Sequence, residues 1–272
     1  MRKKHLTFLD FLWMGREQWP TYPHPLARTF VRWLGPLGVH ARIRNAHVLR
    51  VVEDLPLPSG AHVLDAGCGR AYASFWLARR HIDWEIWGID VDAEVVKHNQ
   101  EVASALGLGN LRFRERDVAD VEADIPFDLV FSIDVLEHME NDVGALVNWR
   151  QVMSRSGWLV LHLPLRHQRQ RRIFRAFKQH VIADHVRDEY TEEEIKDRLA
   201  QAGFTLHSIT YGFGMCGELA FELNYLFWQL PWLRASVALL TFPLAISLGY
   251  VDSWSSPSWG NSLILLARPS TA

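Results

Sequence analysis

The stretch His62-Val63-Leu64-Asp65-Ala66-Gly67-Cys68-Gly69-Arg70 limits what this chain can fold into more than any other part of it. Val63 and Leu64 form the apolar run of a buried strand. Gly67 and Gly69 let the backbone turn tightly and let a ligand approach where a Cβ would otherwise stand. A helix is predicted over Ala71–Arg80, with free N–H groups aimed back at the turn, which suits a polar or anionic group. Tyr72 stands at the third glycine position of a G-x-G-x-x-G fingerprint, so the turn alone does not name its ligand.

After this turn, strand and helix patterns alternate, which implies a parallel α/β sheet. Strands are predicted at Glu85–Asp90, Leu111–Asp117, Phe127–Asp134, Trp158–Leu165, Phe204–Tyr211 and Ser262–Arg268. Asp92 caps a helix with apolar positions Val95, Val96, Val102, Ala103 and Leu106, which Gly107 stops. Another helix is predicted over Asp142–Ser154. Thr191 and Glu194 make a capping box for a helix that Gly203 ends. Prolines punctuate residues 1–58, where a helix is predicted over Ala41–Val52. This N-terminal helical extension is either decoration on the core or one wall of a substrate pocket. The division expected is 1–58, a ligand-binding domain of 59–214 with 260–272, and an apolar helical insertion over 215–259.

Composition removes several function classes. A net charge of −2 gives no basic footprint for nucleic acid. Two cysteines, Cys68 and Cys216, do not make a disulfide framework, so a reducing cytoplasm is the expected compartment. Asp10, Arg16 and Glu17 interrupt the apolar start, which does not read as a signal peptide.

Ligands of such sheets bind at the carboxyl ends of the strands. Three acids fall there. Asp90 follows the glycine turn at the distance where a carboxylate accepts from a ribose diol; capping a loop is its plainer role. Asp117 is set to accept from an exocyclic amine of adenine, with the Val118 N–H beside it; an ordinary surface turn is the alternative. Asp65 is placed to orient the glycine loop or a cationic group.

These motifs resemble those of class I S-adenosylmethionine-dependent methyltransferases. Val63–Gly69 is similar to the family's first motif, Gly88-Ile89-Asp90 to its second-strand acid motif, and Arg116-Asp117-Val118 to its adenine-side motif. Phe127–His138 resembles the fourth-strand motif of the branch that includes ubiquinone and menaquinone methyltransferases, as does Glu189 through Phe204. The likeness covers roughly residues 60–212 and the last strand; Ala71 stands where many members carry another glycine. It implies an α/β, Rossmann-like, doubly wound seven-stranded sheet, mostly parallel, with the last strand antiparallel between the fifth and sixth. It also implies S-adenosylmethionine as cofactor, held by Asp65, Ala66, Gly67, Gly69, Asp90, Val91, Asp117, Val118 and Ile133.

A sulfonium methyl needs alignment and exclusion of water more than covalent help. A base matters only for an acceptor that starts protonated. His138 is the candidate base, or else a histidine packed on the following helix. Asp134, Glu137 and His138 form a D-x-x-E-H run, similar to the E-x-x-E-H that binds a divalent metal in some relatives; no metal is expected here. His162 and His185 are candidates to face the pocket, structural roles being commoner.

Two stretches depart from the family. The insertion holds two apolar runs, Leu219–Trp232 and Ala235–Tyr250, with Glu222, Arg234 and Pro243 interrupting them. Antiparallel neighbours force it to leave and return at one sheet edge, so a single membrane crossing is excluded, and two crossings need about 40 apolar residues. The insertion therefore reads as a cap offering Phe221, Tyr225, Phe227, Trp228 and Trp232 to an apolar substrate or a membrane interface, or as a subdomain or dimer contact. After the fifth strand, Arg166, Arg169, Arg171, Arg172, Arg175 and Lys178 alternate with Ile173, Phe174 and Phe177, a basic amphipathic helix or a solvated face. The expectation is a methyltransferase for a small or lipid-like acceptor, cytoplasmic or on the inner membrane face. A non-catalytic methyltransferase-like partner subunit and a dinucleotide-dependent dehydrogenase are the alternatives.

Overall fold

A computed structural model describes residues 6–22, 24–166, 173, 190–229 and 234–270, with side chains except at 21, 226–229 and 234–239. Seven strands form one sheet: β1 His62–Ala66, β2 Glu85–Asp90, β3 Leu111–Glu115, β4 Phe127–Ile133, β5 Met153–Pro164, β6 Phe204–Gly212 and β7 Ser262–Pro269. Their order is β3-β2-β1-β4-β5-β7-β6. Only β7 runs against its neighbours β5 and β6, the arrangement the motifs implied. Alternate residues feed a core on each face. Val63, Ile86 and Val160 join one, and Leu64, Ile89 and Leu161 the other.

Strand ends differ from the sequence reading where backbone hydrogen bonds decide. β3 stops at Glu115. Arg116 N–H still donates to the Asp90 carbonyl, but Asp117 then folds its carboxylate onto the Ala119 N–H and leaves the ladder. β4 stops at Ile133 because Asp134 is left-handed, with φ of 53°. β5 begins at Met153, which pairs with Phe127, before a bulge resets the register at Leu129 and Trp158.

Helices α1 Phe8–Trp13, α2 Pro25–Leu34 and α3 Val39–Asp54 precede the sheet. α3 is longer than predicted and buried on most sides, polar residues included. Its Arg42 guanidinium donates to the carbonyls of Leu12, Leu34, Pro36 and Gly38, and so ties α1, α2 and the following loop together. Burial without a carboxylate lowers its pKa to about 10. α4 Tyr72–Arg80, α5 Ala93–Ala105, α6 Asp142–Val152 and α7 Glu192–Gln201 alternate with the strands.

The insertion folds as two helices, α8 Met215–Gln229 and α9 Arg234–Trp254, packed on each other and on α3. α9 runs through Pro243 rather than breaking there. The proline is on its exposed side, where the carbonyl left without a partner can meet water. The acids of the insertion point inward. Asp252 accepts from His47 Nε2 (3.0 Å) and from the N–H groups of Phe213 and Gly217; Glu218 accepts from Asn261 (2.5 Å). Glu222 accepts from the Ile173 N–H (2.8 Å), so the insertion touches the segment after β5. Arg169, Arg171, Arg172, Phe174, Arg175, Phe177, Lys178 and His185 lie outside the described residues, as do the side chains of Phe227, Trp228 and Trp232. Among the described residues, no helix is long and apolar enough to cross a membrane.

Candidate functional site

A cleft of about 810 Å³ opens at the carboxyl ends of β1, β2 and β4. The β1–α4 turn forms its floor. Gly67 and Cys68 donate to the Ile89 carbonyl, which pulls the turn across β2. Gly67 has φ of +78°, and a Cβ there would lie 2.4 Å from Val135 Cγ2. Gly69 has φ of +46°, but a Cβ there would meet nothing, so the space before it is open to a ligand. A ligand can therefore approach closely at Gly69, whereas Gly67 is required by packing and dihedral.

Asp90 fixes this turn. Its Oδ2 accepts from the Gly69 N–H (2.8 Å) and its Oδ1 from the Asp92 N–H (3.1 Å). Asn99 donates to the Gly69 carbonyl, and Gln18 to the Arg70 carbonyl and to Asn99. The start of α4 differs from expectation. The Ala73 N–H is already taken by Asn45 Oδ1 of α3 (3.1 Å), not left for a ligand.

Asp65 is only 3% exposed and lines the cleft. Burial pushes its carboxyl pKa up to about 7, a 2.5 Å hydrogen bond from Ser74 opposes this, and Asp90 adds to it. Burial likewise raises the Cys68 thiol, which is unsuited to act as a thiolate. Val91, Asp117, Val118 and Ile133 also line the cleft, and Val118 is anchored by the Trp149 indole donating to its carbonyl. Ala66 does not line it. Its side chain is in the core, and its carbonyl accepts from Ser132.

The other rim is made of distant segments. Ala41, Arg44 and Asn45 of α3 face Asp134, Val135, His138 and Met139 after β4. Asp134 joins three elements: Oδ2 to Arg44 Nη1 at 2.6 Å, and Oδ1 to His162 Nδ1 of β5 at 2.5 Å. Burial pushes the Asp134 carboxyl up, but His162 and Arg44 outweigh it and hold the pKa well below the carboxylate range. Sequence reasoning missed Arg44, and it noted Asp134 and His162 without joining them. No spacing signal links positions that far apart. Among the described residues, no group of three His, Cys, Asp or Glu side chains is arranged to hold a metal.

Residues 57–203, more than half of the chain, match the model of a family described as methyltransferase domain. The chain belongs to that family. A probable (S)-tetrahydroprotoberberine N-methyltransferase 2 of Papaver bracteatum is 32% identical over 89 residues, 33% of this chain and 25% of that protein. A ubiquinone biosynthesis O-methyltransferase of Rickettsia typhi is 25% identical over 135 residues, 47% of this chain and 52% of that one. The chain thus spans about a quarter to a half of the length of these relatives. The crystal structure of the [4+2]-cyclase SpnF superposes with a TM-score of 0.61 at 18% identity, over 88% of this chain and 84% of that one. That likeness shows the fold alone, and the methyltransferase domain must be read from its own site. S-adenosylmethionine is the cofactor of the family, and the cleft fits it. The space before Gly69 is open, Asp90 and Asp117 end or follow adjacent strands, and buried Asp65 stands ready for a cation.

Proposed function

We propose that this chain is an S-adenosylmethionine-dependent methyltransferase for a small, apolar or lipid-like acceptor. The observation that carries the reading is the division of one cleft into two rims. One has the open Gly69 front with Asp65, Asp90 and Asp117; the other has Arg44, Asp134 and His138. A volume near 810 Å³ is in the upper part of the usual range for small-molecule sites, about 300–1,000 Å³, which supports a donor and an acceptor together.

S-adenosylmethionine supplies an electrophilic methyl on a cationic sulfur. Asp90 and Asp117 grip the nucleoside, and ionised Asp65 takes a cationic group of the donor. His138 accepts the acceptor's proton where there is one. The Arg44–Asp134 pair frames the acceptor and keeps the cleft's inner wall polar. The relatives named above support a small organic acceptor. Among the described residues, none of the insertion lines the cleft; Phe221 packs against His40 and Tyr225 instead, so the expected aromatic cap over the acceptor is not formed by these two side chains.

Calorimetry with S-adenosylmethionine, its demethylated product and NAD tests the donor. Binding of the first two and not the third is expected; no binding of either would leave a scaffold protein. Mass spectrometry of lipid extracts with and without the enzyme tests the acceptor, and a one-methyl mass gain is the expected result.

A further inference from the structure

The β1–α4 turn is strained. Gly67, Gly69 and Ala71 all have positive φ, and Ala71, at 51°, is not a glycine. A left-handed alanine persists only where its surroundings over-determine it. Both carbonyls that precede it are held. Asn99 Nδ2 of α5 donates to the Gly69 carbonyl (2.7 Å), and Gln18 Nε2 donates to the Arg70 carbonyl (2.8 Å). Gln18 Nε2 also donates to Asn99 Oδ1 (3.1 Å), so the two amides act as one unit.

Gln18 belongs to the N-terminal extension, 52 residues before Arg70. It is part of a 3-10 turn, Arg16–Thr21, which is itself fastened to α4. Gly15, just before it, packs on the Tyr72 ring, where a Cβ would lie 2.6 Å from Cζ, and Glu17 accepts from Arg79. With Gln18 Nε2 on two acceptor oxygens, Oε1 is left for His98 Nε2 of α5 at 2.9 Å, so the amide has one orientation. Gln18 and Asn99 are 1% and 0% exposed, whereas Gly69 and Arg70 line the cleft. The support therefore acts from behind. A trans peptide points its N–H opposite to its C=O, so gripping the Gly69 carbonyl turns the Arg70 N–H away from Asn99.

We infer that Gln18 is a positioning residue for S-adenosylmethionine: it makes the N-terminal extension the back support of the Gly69–Ala71 turn and holds that turn in the shape that receives the donor. The effect is preorganisation, since apparent affinity falls with the fraction of molecules whose turn is out of shape. The inference rests on the reading of this cleft as the donor site. The segment around Gln18 is then neither decoration on the core nor a wall of the substrate pocket.

The test takes two readings on the full chain. One is affinity for the demethylated product of the donor, by calorimetry. The other is hydrogen exchange, without ligand, of the Gly67 and Cys68 amides, which donate to the Ile89 carbonyl, and of the Ala71 amide, which donates to that of Cys68. Q18M keeps the length of the side chain and removes its hydrogen bonds. It should bind the product about tenfold more weakly, and the three turn amides should exchange faster while those of β4 stay as in wild type. A71G relieves the left-handed strain, so in that background Q18M should cost only about threefold. Damage elsewhere in the fold would give the same loss in both backgrounds. Should Q18M not fold, H98A at a half-buried position removes only the bond that orients the amide and should cost about threefold. Wild type that binds no product would overturn the donor reading itself. Wild type that binds, with a folded variant that binds equally well, with turn amides as protected as wild type's, or with an undiminished loss in the A71G background, would overturn the role of Gln18 alone.

Discussion

The two rims of the cleft are built in opposite ways. The rim at β1 and β2 is local. Gly67, Gly69 and Asp90 are within one strand–helix–strand unit, and the Gly69 N–H reaches Asp90 directly. The rim at β4 is global. Arg44, Asp134 and His162 come from an N-terminal helix, the turn just past β4 and strand β5, and they meet only when the sheet is assembled. The local rim takes these residues from one unit of the chain, whereas the global one is altered when any of three segments moves. Donor binding and acceptor binding should therefore break independently, and mutations can test that separation.

The largest effect is expected at Gly67. Alanine there must adopt a left-handed dihedral, at about 1–2 kcal/mol, and drive a methyl into Val135, at about 1–3 kcal/mol more. Donor affinity measured by calorimetry should fall about 30-fold or more. Adding Val135→Ala should return the steric part and leave the dihedral part. Wild-type donor affinity in Gly67→Ala would mean that the turn does not hold the donor.

Next is Asp134→Asn, which leaves Arg44 without its carboxylate. Arg44 is 31% exposed, so water screens much of the loss, and about 1–2 kcal/mol of stability is expected from denaturant unfolding. Acceptor turnover should fall while donor affinity stays within about two-fold. Equal losses of both would erase the distinction between the rims.

The same contrast explains what was legible in the sequence. The seven strands, the capping box at Thr191 and the acids Asp65, Asp90 and Asp117 were readable because each depends on neighbours within a few residues or on one βαβ unit. Arg44 was not, since its partner is 90 residues away and helical periodicity says nothing about which cleft a half-exposed arginine enters. Asn45 was missed for the same reason, and with it the loss of a free N–H at α4. The bulge in β5 and the passage of α9 through Pro243 depend on what lies opposite, which only the packed chain supplies.

A smaller effect, readable mainly against pH, is expected at Asp65. Its pKa rises on folding from 3.8 to about 7, so the stability it contributes is present below pH 4 and lost as pH climbs through 7. Asp65→Asn should therefore raise the melting temperature of the ligand-free protein at pH 8 and change it little at pH 4. A cationic donor pulls the proton off Asp65, so wild-type donor affinity should rise with pH toward about 7, by at most tenfold per unit, and then level. The variant should bind more weakly with a flat profile. A flat wild-type profile would remove Asp65 from the donor's cationic group.

The smallest effect belongs to Asp117, the one exposed acid of the local rim. Its carboxylate holds the Ala119 N–H at 2.8 Å in a surface turn, so Asp117→Ala should leave the melting temperature nearly unchanged. If the same carboxylate accepts from the adenine amine, donor affinity should drop by about 0.5–1.5 kcal/mol, or roughly 3- to 10-fold. A weakened turn alone would give a similar number, so affinity by itself does not decide. A product analogue with a carbonyl oxygen in place of the adenine amine separates the two. Wild type should discriminate against it, and Asp117→Ala should bind both compounds alike, because the amine no longer has its acceptor. Undiminished discrimination in the variant would move adenine recognition to the backbone at Val118 and leave Asp117 as a turn residue.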